Sequence, residues 1–123
     1  MPPLIKIEIW LNNTLQISGV YDSGSNVSLI NSRLLNLERE TYKNIQNAKL
    51  RTINGVGKTN GMVTLKAKIF DIEKEIDVFI IDNENFEHEF LIGLDSIKNF
   101  QLRQDENLQI TQKIQVTPNN TVY

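Results

Sequence analysis

The 123-residue sequence predicts an all-β, barrel-like domain with one short helix. Three observations lead there. Short apolar segments, several alternating with period two, recur along most of the chain; turns rich in Gly and Asn separate them; and only residues 94–100 space their apolar side chains as a helix does. The length suits one compact domain able to bury a core without staples. Residues 1–114 are read as that domain and 115–123 as a polar tail.

Leu4-Ile5-Lys6-Ile7-Glu8-Ile9 puts Ile5, Ile7 and Ile9 on one face and Lys6 and Glu8 on the other, a half-buried strand. Asn12-Asn13 suits a tight turn because Asn tolerates positive φ, and residues 15–21 return as a second strand. Residues 27–30 read as a short third strand, with Asn31 or Ser32 placed to cap one or two helical turns over 33–37. Residues 48–53, the Gly-rich 54–61 and 62–69 form a strand–loop–strand pattern, a long hairpin. A turn over 71–74, a strand over 75–81 and an exposed acidic loop over 82–89 come next. Phe90-Leu91-Ile92 is apolar throughout and expected to be buried on both faces; Gly93 ends it, and 108–114 alternates as a last strand. No internal repeat is visible.

Composition removes several function classes. Thirteen basic residues are offset by fifteen acidic ones, for a net charge of −2, and form no cluster that would draw nucleic acid. The absence of cysteine excludes disulfides, thiol catalysis and zinc–thiolate sites, and fits a reducing compartment. No signal-like start and no apolar run of roughly 18 residues supports secretion or a membrane span. The sequons at Asn12, Asn26 and Asn119 are therefore expected to be chance matches.

The chemistry concentrates at Asp22-Ser23-Gly24, directly after the apolar residues 17–21 and before Ser25-Asn26-Val27-Ser28-Leu29-Ile30. An Asp that ends a strand and turns through Ser-Gly is held by backbone hydrogen bonds and can be aimed at a cleft. Alone, the triplet also suits a plain turn. Acid–base work on a peptide needs a second carboxylate, and with one such triplet per chain its simplest source is a second copy.

Two separated segments, with a third between them, resemble the retropepsins, the aspartic proteases of retroviruses and LTR retrotransposons. Val20-Tyr21-Asp22-Ser23-Gly24-Ser25-Asn26-Val27-Ser28-Leu29-Ile30 is similar to their active-site strand and loop. Phe90-Leu91-Ile92-Gly93-Leu94-Asp95-Ser96-Ile97 is similar to their second signature, and its Gly-Leu-Asp form looks more like the retrotransposon members. Between them, Ile53-Asn54-Gly55-Val56-Gly57 resembles the Gly-rich flap tip. The likeness runs roughly from Leu4 to Ile114.

The resemblance implies a closed β-barrel with a long flap hairpin and one short C-terminal helix, working as a symmetric homodimer on a peptide or polyprotein without cofactor or metal. It implies that Asp22 from each subunit forms a catalytic dyad. Ser23 would lock the two loops across the dyad, Gly24 would let the loop turn and substrate approach, and the Ser25 hydroxyl could bond the carboxylates. Asn26 would give an uncharged substrate contact. Val20, Val27, Leu29, Leu91 and Ile92 would form apolar pockets, with Leu91 and Ile92 close to Asp22. Gly55, Val56 and Gly57 would meet substrate from the flap, the Val56 N–H at its tip. The family often has Arg where Leu94 stands, paired with an Asp where Asn26 stands; both are absent here. The location implied is the cytoplasm or a retroelement particle.

Other features read as structural. Gly57-Lys58-Thr59 echoes the end of a phosphate-binding loop, but Thr52 occupies the position that needs Gly. His88, the one histidine, has no second His or Cys and is expected on a solvated loop, as are residues 84–89. Trp10 is expected in the core or at a dimer edge. Asp95 suits a helix cap or an ion pair with Arg33 or Arg103. Three functions remain open: an active protease, a dimerisation or peptide-binding module of the same fold with an idle dyad, and a β-barrel adaptor that has the triplet by coincidence.

Overall fold

The structure, a computed structural model, describes residues 4–35, 41–43, 49–52, 55–58, 61–82 and 86–113, with the backbone alone for 41–43, 49–52 and 55–58. Strand β1 (Lys6–Leu11) and strand β2 (Leu15–Tyr21) form an antiparallel hairpin. Ile7, Ile9 and Leu11 are buried while Lys6, Glu8 and Trp10 are exposed, so the alternation holds although the strand runs two residues later than 4–9. Asn12 and Asn13 take φ of 50° and 64°, the left-handed geometry a tight turn needs. Strand β3 (Leu29–Asn31) is buried throughout. A 3₁₀ turn over Ser32–Leu34 follows, capped by Asn31, whose Oδ1 accepts from Arg33 N at 3.1 Å.

Strand β4 (Thr41–Lys43) comes next; β5 (Lys49–Thr52) and β6 (Gly55–Lys58) then form a separate two-stranded ribbon. Strands β7 (Gly61–Ile69) and β8 (Ile72–Ile81) pair along their whole length, from Gly61 opposite Ile80 to Ile69 opposite Ile72. The chain ends its described course in β9 (Phe90–Ile92), helix α1 (Leu94–Asn99), β10 (Leu102–Gln104) and β11 (Ile110–Gln112).

Six strands close a barrel in the order β1-β2-β9-β3-β8-β7, with Trp10 and Leu11 of β1 meeting Lys68 and Ala67 of β7; β4 lies beside β7. Alternate residues fill the interior, among them Ile9, Val63, Leu65, Ile69, Val78, Ile80, Phe90 and Ile92. Helix α1 and Phe100 pack against this core through Ile97 and the fully buried Phe100 ring. Truncating one such aliphatic side chain to Ala leaves a cavity costing about 2–5 kcal/mol.

Several elements differ from expectation. The turn expected at 71–74 is a two-residue connection at Phe70 and Asp71, because Glu73, Lys74 and Glu75 lie in the exposed part of β8, opposite Lys68, Ala67 and Lys66. Part of the 54–61 loop is strand β6. The strand expected over 108–114 shrinks to Ile110–Gln112 and gains β10 as partner, with Leu108 left in the turn at φ 63°. Asp105 Oδ1 holds that turn by accepting from Asn107 N at 2.9 Å and Gln109 N at 2.8 Å. Gln112 Nε2 ties β11 to the carbonyls of Ile69 and Phe100. Trp10 is not in the core: it is 43% exposed, beside an open cleft of about 590 Å³ that it lines with Phe70, Leu108 and Ile110. Within residues 82–89, the described part is anchored rather than free. Asn31 Nδ2 donates to Phe86 O at 2.8 Å and His88 O at 3.1 Å, and Glu89 Oε1 accepts from Ser18 N at 3.0 Å. His88 is only half-exposed and stands edge-on to Phe86.

Candidate active site

The parallel pairing of β2 with β9, Val20 opposite Leu91 and Tyr21 opposite Ile92, sets the position of Asp22. Its N–H donates to Ile92 O at 2.9 Å, so Leu91 and Ile92 do run beside it. The loop then turns on itself. Gly24 N donates to Asp22 Oδ1 at 2.9 Å and Ser25 N to Asp22 O at 3.2 Å. The half-buried carboxylate is thus fixed through one oxygen by a backbone amide, while Ser23 and Gly24 are exposed. That arrangement suits a group that must hold its place and still meet a substrate.

The far side of the loop rests on the start of α1. Leu94 N donates to Ser25 O at 2.8 Å and Asp95 N to Asn26 O at 3.3 Å. Gly93 fits because it has no side chain: a Cβ there would lie 2.2 Å from Val27 O and 2.5 Å from Val27 C. The Ser25 hydroxyl is fully buried and donates to Val27 O at 2.8 Å, pointing into the loop rather than to the Asp22 carboxylate. Asn26 contributes its carbonyl to the helix contact and leaves its side chain exposed.

Leu29, Ile81 and Leu91 form a small apolar cluster separate from the barrel core, flanked by Val27, Phe79 and Phe86. The structure therefore gathers the expected pocket residues Val27, Leu29 and Leu91 in one place. It also adds Ile81, Phe79 and Phe86, which the sequence did not single out. Ile92 belongs to the barrel core. Val20 lies elsewhere, lining a pocket of about 100 Å³ with Lys6, Ser18 and His88. In the ribbon, Thr52 stands opposite Gly55 and Arg51 opposite Val56, so only residues 53 and 54 lie between the strands. Val56 is thus in the returning strand and not at the turn; the expected tip residues Ile53 and Asn54 lie outside the described residues. The Tyr21 phenol, just before Asp22, packs on the core, and burial pushes its pKa up from the ordinary value. Among the described residues no group of three or more His, Asp or Glu could hold a metal.

Asp95 meets neither Arg33 nor Arg103. Its Oδ1 accepts from Ser28 Oγ at 2.7 Å and Ser96 N at 2.6 Å, and its Oδ2 from Ser28 N at 3.2 Å. Sequence reading missed Ser28 and Ser96, both buried; the signal available was two small hydroxyl residues at otherwise apolar sites.

A closed barrel with a two-strand ribbon, a strand-end Asp loop and a crossing apolar-apolar-Gly segment defines a retropepsin-like fold. Solved structures share it. The chain is similar to the retroviral protease-like domain of Ddi1 from Leishmania major, with a TM-score of 0.66 and 16% identity over 91% of this chain and 86% of that one. It is also similar to the EIAV protease in complex with the inhibitor HBY-793, with a TM-score of 0.63 and 12% identity over 82% and 91%. A retropepsin-like aspartic protease from Rickettsia conorii matches with a TM-score of 0.58 and 17% identity over 84% and 77%. No protein-family profile matches the chain, and no curated protein matches it.

Proposed function

We propose that the chain is an aspartic endopeptidase that works as a symmetric dimer, with Asp22 of each subunit forming the reacting pair. Its domain would be residues 1–114, with 115–123 a tail. The carrying observation is the Asp22 carboxylate, held by Gly24 N where β2 and β9 end and opening beside Ser23 and Gly24. Two carboxylates about 3 Å apart cannot both ionise cheaply, an effect for which aspartic proteases are the standard illustration. One proton is shared between the two. The charged member draws a proton from a water between the two while the neutral member donates to the scissile carbonyl. No covalent intermediate is required.

The cluster of Leu29, Ile81 and Leu91 with Val27, Phe79 and Phe86 favours extended substrates with apolar side chains near the scissile bond. Asn26, Gly55, Val56 and Gly57 complete the proposed substrate-contacting set, the flap members through their backbone. A retroelement polyprotein is the proposed substrate, in the cytoplasm or in particles; no helix among the described residues is long and apolar enough to cross a membrane. A same-fold dimerisation or peptide-binding module with an idle dyad is the competing reading, since one chain supplies one Asp-Ser-Gly. The test is cleavage of a polyprotein or casein-like substrate at pH roughly 5 to 6. Asp22→Asn is expected to abolish it, and an unmutated chain that dimerises without turnover would decide for the idle module.

A further inference from the structure

Three contact points clamp residues 22–28 to residues 92–96. Asp22 N bonds Ile92 O; Ser25 O and Asn26 O receive Leu94 N and Asp95 N; and Ser28 is fixed by side chains. The first two are made by backbone groups alone. The third depends on Ser28, Asp95 and Ser96, which makes it the specific one.

The hydroxyl logic there has one solution. Ser28 Oγ has one proton and two lone pairs. The acceptor-only Asp95 Oδ1 at 2.7 Å takes that proton. Gly93 N, at 3.0 Å, donates into one lone pair. The Ser96 hydroxyl, at 2.6 Å, must then be the donor into the other. Ser28 is 0% and Ser96 1% exposed, so water does not compete for these bonds. Every bonding capacity of Ser28 Oγ is used. Asp95 closes the knot by also accepting from Ser28 N and Ser96 N.

We propose that Asp95 is a positioning residue for Asp22, holding the loop through Ser28. The inference rests on reading Asp22 as the reacting carboxylate. Asp95 sets where the loop stands on α1 by holding the Ser28 hydroxyl and amide. Asn is a poor substitute, because its NH₂ would face the Ser28 N–H and place two donors together.

The test compares Asp95→Asn, Ser28→Ala and their double variant, in a peptide-cleavage assay run well below each Tm. Each single change is expected to lower kcat by roughly tenfold to a hundredfold, with KM within about twofold. The double variant should be no worse than the poorer single one, since all three break one link. A barrel-core variant, Val78→Ala, chosen to lose a similar Tm, should keep its kcat. Unchanged kcat in Asp95→Asn, or an equal loss in Val78→Ala, overturns the proposal. If the unmutated chain cleaves nothing, the protease reading fails, and amide hydrogen exchange decides the positioning claim alone. Asp95→Asn should then speed exchange at Gly24 and Ser25, and unchanged protection there refutes it.

Discussion

Gly93→Ala is expected to damage the fold and the site together. Gly93 sits at φ −89° and ψ −176°, backbone that any residue adopts, so conformational freedom does not explain the glycine. Space does. An added Cβ would stand 2.2 Å from Val27 O, 2.5 Å from Val27 C and 3.0 Å from Ser25 O. A comfortable carbon–oxygen contact is about 3.3 Å, so the loop and the helix start must separate by roughly 1 Å. The obstructing atoms are backbone, and no rotamer change relieves them. A separation of that size stretches Leu94 N to Ser25 O from 2.8 Å and Gly93 N to Ser28 Oγ from 3.0 Å, past the limit of hydrogen bonding. Overpacking of this kind costs about 1–3 kcal/mol, and each weakened bond adds about 1 kcal/mol. At about 4 °C per kcal/mol for a domain of this size, Tm should fall by roughly 12–20 °C. A reacting group displaced by about 1 Å loses on the order of a hundredfold in rate. Thermal unfolding followed by circular dichroism, with kcat on an apolar peptide, measures both. A Tm within about 2 °C of the unmutated protein and an unchanged kcat would refute the packing argument.

Other predictions follow from the same contacts. Ser25→Ala removes the bond to Val27 O and should cost about 1 kcal/mol while leaving the pH optimum of cleavage where it was; a moved optimum would mean the hydroxyl reaches the carboxylates. Burial raises the Tyr21 pKa in the folded state, so above about pH 10 the unfolded chain binds fewer protons there and stability falls as pH rises. Tyr21→Phe should lessen that alkaline loss in a pH series of denaturant unfolding, and an identical slope would contradict it. Asn31→Ala should cost about 1–3 kcal/mol and loosen residues 86–89, read as faster amide exchange at Glu89, because Asn31 bonds Phe86 O, His88 O and Arg33 N from a fully buried position.

Strong alternation and close motifs were legible in the sequence. Ile7, Ile9 and Leu11 announce β1, and Asn12-Asn13 its turn, because both signals are local. The parallel neighbours Asp22 and Ile92 were reachable only through a family resemblance, since 70 residues of chain separate them. Glu73 and Lys74 misled because an exposed strand segment and a turn share a polar composition. Leu102-Arg103-Gln104 has no periodicity of its own and is a strand only because Ile110–Gln112 pairs with it. The knot at Ser28, Asp95 and Ser96 was illegible for a similar reason. Asp95 looks like a partner for an arginine until tertiary packing puts two buried hydroxyl groups against it.

Subunit mixing tests the central claim most directly. Unmutated and Asp22→Asn chains are combined at fixed total concentration, allowed to exchange, and assayed for cleavage. A site built from one Asp22 of each subunit predicts activity proportional to the square of the unmutated fraction, about a quarter at equal parts. Activity that falls only in proportion to the unmutated fraction would mean that each chain acts alone, and activity that does not fall would remove Asp22 from the chemistry.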